Sequence, residues 1–223
     1  MGSVTGGPFG TFVGKVGDVV GYVRLGKAFV RNAPEKSKKP RTQGQREVNQ
    51  KFQVGRKLIS DLQEFINVGF RLAAEGTGKT AQNVASSWNI RHAIKGVHPD
   101  FIVDYSQVLL SQGDLPVPDQ PEVEYVYPGL KFKWRVSEEL ESAFERDQVM
   151  LLAYHPHRKA VTHILSGNRR KVGADELMLR PELFYPDVHP ENDFVETYMA
   201  FISDDRRRIS DSIYTGRVYL KQS

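Results

Sequence analysis

The amino-acid sequence predicts a mixed α+β fold in two parts: an N-terminal β-hairpin plus helical hairpin over residues 1–104, followed by an all-β sandwich over residues 105–223. Three observations lead to this prediction. Glycines alternate with β-forming residues near the N-terminus, apolar residues then recur every three or four positions, and short alternating segments fill the C-terminal half. Such a change of hydrophobic period along one chain is typical of α+β proteins.

The first predicted element is a β-hairpin. Residues 18–25 and 27–32 are rich in valine and aromatic side chains, and Gly26 lies between them at the turn. The glycine-rich segment before residue 18 is expected to be extended or bulged. Because a two-stranded ribbon is marginally stable in isolation, we expect this hairpin to pack against the rest of the chain or against a partner.

Two amphipathic helices are predicted to follow. Thr42 and Gln45 have the spacing of a capping box, and the apolar residues after them predict one helix over residues 43–71 with a bend near Gly55. A second helix is predicted over residues 80–95. The residues of the second helix that are expected to face inward are Ala81, Val84, Ala85, Trp88 and Ile94.

The link between these helices, AEGTGKT at residues 74–80, ends like a phosphate-binding loop. Such a loop requires a glycine five positions before its last glycine and a strand in front of it. Here Ala73 stands five positions before Gly78, and a helix precedes it. We therefore interpret the segment as an interhelical link in which Gly76 ends one helix and Thr80 caps the next.

The C-terminal half is predicted to be all-β. A strand is expected over residues 101–110, a proline-rich connector over residues 115–121, and a short helical insertion over residues 137–146. The strands of the sandwich are expected at residues 122–127, 130–136, 148–154, 160–165, 176–179, 194–203 and 209–220.

The composition is that of a folded globular protein, with 39% hydrophobic and 26% charged residues. The chain contains no cysteine, which excludes disulfides, thiolate metal sites and thiol nucleophiles. We recognise no signal peptide and no apolar run long enough to span a membrane. We therefore expect a cytoplasmic or virion-associated protein rather than a classically secreted one, and the compartment itself stays open.

Charge is distributed unevenly along the chain. Residues 1–60 contain 12 basic and 3 acidic residues, whereas residues 61–223 contain 19 basic and 24 acidic residues. The basic segment is expected to meet phosphate, another anionic surface or the acidic part of a second copy, or else to be only a solvated connector. The candidate interaction residues are Lys15, Arg24, Arg31, Lys36, Lys38, Lys39 and Arg41, with Arg206, Arg207 and Arg208 in a charged tip between the last two strands.

Aromatic residues lie among the basic residues of the hairpin. Phe12, Tyr22 and Phe29 are interleaved with lysine and arginine, which is a pattern found in nucleic-acid-binding ribbons. The alternative, which we favour, is that these rings pack the hairpin onto the helices.

No catalytic, cofactor-binding or metal-binding residue is predicted. His155, His157 and His163 are the histidines best placed to gather around a metal, but Pro156 and the basic residues after it indicate an exposed hairpin loop. No G-x-S-x-G motif is present, and the carboxylates within residues 138–145 are interleaved with polar residues, which favours a solvated helix. We therefore expect that the protein is not an enzyme and uses no cofactor.

Two stretches carry a resemblance to a known family. The first is GKVGDVVGY at residues 14–22, followed by Val30, Arg31, Pro34, the triplet Pro40-Arg41-Thr42, Gln45 and Phe52, and the second is YMAFISDD with ISDSIYTG at residues 198–205 and 209–216. This combination resembles an uncharacterised family of Bacteroidota proteins that is classed as a domain of unknown function. Lys39 departs from the pattern, because asparagine is more usual before the proline.

The resemblance implies a fold but no established activity. The final strands are similar to the last hairpin of fibronectin type III or immunoglobulin-like sandwiches, which implies that Trp134 lies in the core and that Tyr198 makes a corner-type hydroxyl contact. The order of elements is also similar to that of some phage- and prophage-encoded proteins.

From these similarities we expect a non-enzymatic structural or interaction protein that belongs to a larger assembly, either a phage-like virion or a secreted one. Its partners are expected to be proteins, including further copies of itself. The alternative is a nucleic-acid-binding protein that uses the basic hairpin and connector.

Overall fold

The computed structural model describes residues 3–5, 10–35, 39–136, 144–184 and 189–220. The chain divides into two compact units, Met1–Gln43 and Gly44–Ser223. The boundary predicted between residues 104 and 105 falls inside the second unit, where helices and strands share one hydrophobic core.

The first unit contains an antiparallel sheet of four strands in the order β1-β2-β3-β4. The predicted hairpin is confirmed as β3 and β4, and the lead before it adds two further strands. Leu25 and Gly26 at the β3–β4 turn have positive φ angles of 49° and 75°, as a type I′ turn requires. The strands are β1 Ser3–Thr5, β2 Thr11–Val16, β3 Val19–Arg24 and β4 Lys27–Asn32.

The second unit begins with a helical segment that covers the predicted first helix. Its elements are α1 Gln43–Asp61, α2 Gln63–Gly69 and α3 Arg71–Ala74. The predicted bend at Gly55 is wrong, because α1 runs through this residue, and the irregularity lies at Leu62, with φ −101° and ψ 16°. Gly55 instead permits close packing against Ile90 of a later helix, Ala81–His92, since a Cβ at Gly55 would lie 2.5 Å from Cγ1 of Ile90.

The interhelical interpretation of the glycine-rich link is confirmed. Thr80 has extended backbone angles, and its hydroxyl accepts a hydrogen bond from the backbone N–H of Asn83 at 3.2 Å, which caps α4 (Ala81–His92). The helix ends three residues earlier than predicted, because Ile94–Lys95 forms strand β5 with β6 (Ile102–Val103). Trp88 was expected to face inward, but its ring is 36% exposed and stacks on His92.

Among the described residues that follow, seven antiparallel strands form two sheets, with the orders β10-β9-β12-β13 and β11-β8-β7. The predicted strand over residues 101–110 is wrong, because only β6 and a 3-10 turn at Tyr105–Gln107 form there. The helix predicted over residues 137–146 lies largely outside the described residues. The strands are β7 Asp119–Val126, β8 Gly129–Arg135, β9 Gln148–His155, β10 Ala160–Ile164, β11 Ala174–Met178, β12 Phe194–Ile202 and β13 Ile213–Tyr219.

The second unit therefore has three layers: helices, the four-stranded sheet and the three-stranded sheet. Alternate residues of the central strand β9 point in opposite directions, so that Leu152 packs against the helices and Leu151 against the other sheet. The second core includes Trp134, as predicted, whose ring meets Phe201 edge to face at 5.5 Å. The helices thus cover the outer face of a sheet that was predicted to stand apart from them.

A buried carboxylate lies at the edge of the helix-side core. Glu196 on β12 is fully buried and accepts hydrogen bonds from Nη2 of Arg217 at 2.6 Å and from the hydroxyl of Tyr214 at 2.7 Å. The guanidinium of Arg217 also lies 3.9 Å from the centre of the Phe194 ring. Because every oxygen of the carboxylate has a partner, its burial is tolerated.

Tyr198 makes a hydroxyl contact, but not the corner contact that the resemblance implied. Its hydroxyl donates to the backbone carbonyl of Tyr105 at 2.7 Å, which lies 93 positions earlier in the chain. An immunoglobulin-type corner joins the tyrosine to a carbonyl only a few residues upstream. The hydroxyl has a distant partner because Tyr198 faces the helices, and the segment after β6 lies on that side of the sheet.

His155 was assigned to an exposed loop, and this interpretation is wrong. The ring is fully buried, and its Nε2 lies 3.1 Å from Oδ1 of Asp193. The backbone N–H of Arg158 donates to Nδ1 at 3.3 Å, so Nδ1 is the acceptor and Nε2 carries the hydrogen. Burial lowers the pKa of His155, although Asp193 opposes this shift, and the ring is therefore neutral at neutral pH.

Asn89 connects α4 to the irregular segment that replaces the predicted strand. Its amide nitrogen donates to the carbonyl of Leu109 at 2.8 Å, and its amide oxygen accepts from the N–H of Leu109 at 2.9 Å. We expect Asn89→Ala to lower the free energy of unfolding by roughly 2–4 kcal/mol, since both partly buried backbone groups of Leu109 lose their partner. Chemical denaturation measures this value. The exposed Asn67→Ala on α2 is the control, and equal losses for both variants would contradict the assignment.

The neutral state of His155 predicts a loss of stability on acidification. A histidine whose pKa is lower in the folded chain contributes fully above its unfolded pKa of about 6.5, and the contribution is lost as the pH falls below that value. Unfolding free energies measured between about pH 7.5 and 5.5 should therefore decrease toward acid. The slope should be smaller in His155→Gln and unchanged in the control His157→Gln, whose ring is exposed. An identical slope in all three proteins would exclude His155 as the cause.

Candidate interaction surface

The register of the N-terminal sheet gathers basic and aromatic side chains on one face. Residues directly opposite each other in antiparallel strands share a face. Tyr22 pairs with Phe29, and Arg24 pairs with Lys27. Through the pairing of Val20 with two neighbours, Lys15 and Arg31 join the same face. We call this side the basic face; its members are Lys15, Val20, Tyr22, Arg24, Lys27, Phe29 and Arg31.

Two aromatic rings form the centre of the basic face. The rings of Tyr22 and Phe29 are stacked with their centroids 5.6 Å apart and an interplanar angle of 21°. The guanidinium carbon of Arg31 lies 5.8 Å from the centre of the Tyr22 ring, within the range of a cation–π contact. The basic face therefore presents two stacked aromatic rings that lie between positively charged side chains.

The opposite side of the same sheet is apolar. Gly21 pairs with Val30, and its neighbour Val23 pairs with Ala28. Phe12 covers Gly21 so closely that a Cβ added there would lie 2.7 Å from the ring, which explains the glycine. We call this side the apolar face; its members are Phe12, Gly14, Val16, Val19, Gly21, Val23, Ala28 and Val30, with the polar Asn32 opposite Val19 at one end.

Valines on the apolar face are exposed to a degree that is unusual for a sheet. The side chains of Val16, Val23 and Val30 are 51%, 52% and 60% exposed. A sheet normally buries one of its faces against another layer. This face was not identified from the sequence. The alternation of Val19, Gly21 and Val23 along β3 could have indicated it, because alternate residues of a strand share a face.

Strand β4 is an edge of the sheet. It pairs with β3 alone among the described strands, and all six of its residues are exposed. An edge strand offers unpaired backbone groups to another chain, and the charges of Lys27 and Arg31 near its two ends oppose uncontrolled pairing.

The remaining candidate residues of the first unit lie on the connector. Lys39 and Arg41 are exposed there. Lys36 and Lys38 lie outside the described residues.

The arginines of the charged tip belong to the second unit, and two of them have intramolecular partners. Arg206 donates to the carbonyl of Leu165 at 3.0 Å and to Oε1 of Gln148 at 2.7 Å. Nε of Arg208 lies 3.1 Å from Oδ2 of Asp114. Arg207 is exposed, and its side chain has no hydrogen bond or ion pair within the described part of the chain.

The three histidines do not come together. His155 is buried, His157 is exposed, and His163 lies on the helix side of β10 with Nε2 at 3.5 Å from Glu64. Within residues 3–5, 10–35, 39–136, 144–184 and 189–220, no group of three or more histidine or acidic side chains is arranged to hold a metal ion.

In the part of the chain that the structure describes, no helix combines the length and the apolar character needed to cross a bilayer.

Comparisons with known proteins place the chain in a family. No curated protein and no solved structure matches it. The sequence pattern of a family of unknown function (DUF6266) matches residues 11–216, from the second strand of the N-terminal sheet to the last strand of the second unit. The chain therefore belongs to this family of unknown function.

Proposed function

We propose that the protein is a non-enzymatic structural or interaction protein that joins a larger assembly through its N-terminal sheet. The observation that carries this proposal is the apolar face with three half-exposed valines. Covering such a side chain is worth on the order of 1 kcal/mol per valine. Burial of these valines against a partner would therefore supply a substantial part of the free energy of binding.

The partner that fits best is a protein, including a second copy of the same chain. The apolar face supplies affinity by burial, whereas the positive charge of the first unit favours an acidic partner and fast association. The similarity in element order to phage-encoded proteins is our reason for proposing a virion-like or secreted assembly.

We also propose that residues 119–220 form a sandwich of the fibronectin type III kind. Its support is the division of seven antiparallel strands into sheets of four and three. The fourth strand, β10, pairs with β9, whereas a constant-type immunoglobulin domain places its fourth strand in the other sheet. The layer of helices on one outer face is an addition to that plan.

The second candidate function is the binding of single-stranded nucleic acid by the basic face. A specific observation favours it: four cations surround a stacked aromatic pair on one face of a sheet. Bases stack on exposed rings, and lysine and arginine neutralise phosphates, in many proteins that bind single strands. This candidate uses the opposite side of the sheet from the apolar face, so that mutations separate the two.

Self-association through the apolar face predicts a clear effect of two substitutions. The variant Val23→Thr with Val30→Thr keeps β-forming residues but removes apolar area, and we expect its dissociation constant for self-association to rise roughly 10- to 100-fold. Sedimentation velocity over a range of concentrations measures this. Val126→Thr, on an exposed position of β7, is the matched control. A wild-type chain that stays monomeric in both low and high salt would remove a second copy as the partner.

Nucleic-acid binding predicts a characteristic dependence on salt. If the basic face contacts phosphates, replacing Lys15, Arg24 and Lys27 by glutamine should lower the slope of log K against log salt concentration by about 2, since each phosphate contact on a single strand contributes about 0.7. Fluorescence anisotropy with an oligothymidine probe measures the slope. Lys131→Gln, in the second unit, should leave it unchanged. No binding by the wild type at low salt would eliminate this function.

A further inference from the structure

A cleft of about 370 Å³ opens in the second unit between α1, α2 and β10. A smaller cleft of about 230 Å³ adjoins it, and the two share Asp61 and Lys159. They lie beside the irregularity at Leu62, where α1 ends and α2 begins. All residues that line the two clefts belong to the second unit, and the function proposed for the N-terminal sheet uses none of them.

Both acidic residues of the larger cleft are already engaged. The hydroxyl of Tyr154 donates to Oδ2 of Asp61 at 2.8 Å and so connects the central sheet to the end of α1. Oε2 of Glu64 lies 3.5 Å from Nε2 of His163. The acids therefore do not neutralise the basic side chains of the cleft by direct contact.

The basic side chains have no such partner. Lys159 and Arg180 line the larger cleft, and Lys57 lies with Lys159 in the smaller one. Within the described part of the chain, the side chains of these three residues make no hydrogen bond and no ion pair. Three cationic donors of the two clefts therefore have no direct partner within the described residues.

The backbone of Lys159 provides an independent observation. This residue is the last of the turn between β9 and β10 and has a φ angle of 52°, in the left-handed region that disfavours residues with a Cβ. Glycine would occupy the position without strain. Arg206 also has a left-handed φ, of 61°, but its side chain is held by three hydrogen bonds. Within the described residues, no hydrogen bond of the Lys159 side chain accompanies this left-handed conformation, and the side chain is exposed at the cleft.

His163 also lines the larger cleft, and one of its ring nitrogens is buried. Nδ1 of His163 is buried and lacks a hydrogen-bond partner among the described residues, and the side chain as a whole is only 16% exposed. Burial lowers the pKa of His163, the nearby charge of Glu64 opposes this shift, and the charge of Arg180 adds to it. The imidazole is therefore neutral at neutral pH and can give or accept a hydrogen bond without adding charge.

We propose that this cleft binds an oxyanion, such as the phosphate or carboxylate group of a small molecule. Lys159 and Arg180 provide the charge, with Lys57 at the adjoining end, and the guanidinium can bind two oxygens of the anion at once. Asp61, oriented by Tyr154, stands beside the anion position and accepts a hydrogen bond from a hydroxyl or amine on the same ligand. The ligand class is thus a small molecule that carries both an anionic group and a hydrogen-bond donor.

The test is a titration of the full chain with inorganic phosphate and, separately, with acetate, followed by the NMR signals of the His163 ring. Specific shifts of these signals that saturate with phosphate or acetate are the expected result, and the tighter probe identifies the tetrahedral or planar anion as the ligand group. An absence of saturable shifts with both probes at tens of millimolar would overturn the proposal.

The variant Lys159→Gly distinguishes an effect on stability from an effect on binding. It relieves the left-handed strain, so the melting temperature should stay equal or rise, while the affinity for the tighter probe should fall about tenfold or more. Unchanged affinity in this variant would overturn the proposal.

Arg180→Gln provides a second variant that leaves the turn intact, and it should weaken binding to a similar extent. Lys79→Gln removes an exposed lysine from the link between α3 and α4 and should bind like the wild type. An equal loss of affinity in all three variants would indicate general charge attraction rather than a cleft, and would also overturn the proposal.

Discussion

Side chains at alternate positions of β9 and β12 enter two different hydrophobic cores. Met150 and Ala200 pack against the helices, whereas Val149 and Phe201 pack against the three-stranded sheet. Both strands are hydrogen-bonded to neighbours on each side, so their backbones are satisfied within the sheet. Covering these strands on only one face would leave a row of large apolar side chains in water. Helices and strands of the second unit are therefore stable only together.

Polar groups at the edge of the helix-side core show how this packing positions the cleft. Tyr154 and Tyr198 rise from the central sheet with most of each ring buried, and burial raises the pKa of both hydroxyls, so that they remain donors. One donates to Asp61 and the other to the carbonyl of Tyr105. These bonds hold the end of α1 and the segment after β6 at fixed distances from the sheet. The cleft beside Asp61 is consequently a product of the core rather than of a mobile surface loop.

Local sequence patterns predicted those elements whose partners are close in the sequence. The stripe of apolar residues from Leu58 to Phe70, the cap at Thr80 and the alternation around Trp134 each reflect neighbours within a few positions. The helical segment was therefore recovered to within a few residues, although its irregularity at Leu62 was not.

The strand predicted over residues 101–110 was wrong because the groups that hold this segment are distant in the sequence. It has the composition of a strand, yet its backbone is satisfied by side chains from far away, namely Asn89, 20 positions from Leu109, and Ser212, 102 positions from Leu110. The cleft was missed in the same way, because Asp61, Lys159 and Arg180 come from three separate parts of the chain and form no motif.

The N-terminal sheet raises a different question, which is how so small a unit remains folded. It belongs to a unit of residues 1–43, a length at which a single chain seldom buries enough apolar surface without help from metals, disulfides or partners. With no cysteine in the chain, disulfides are excluded. A partner that covers the apolar face binds only the folded sheet, and at a concentration 100 times its dissociation constant it stabilises that sheet by about 2.7 kcal/mol. Under the association proposed above, binding and folding of the sheet are coupled, so that a tighter partner would stabilise the folded sheet further.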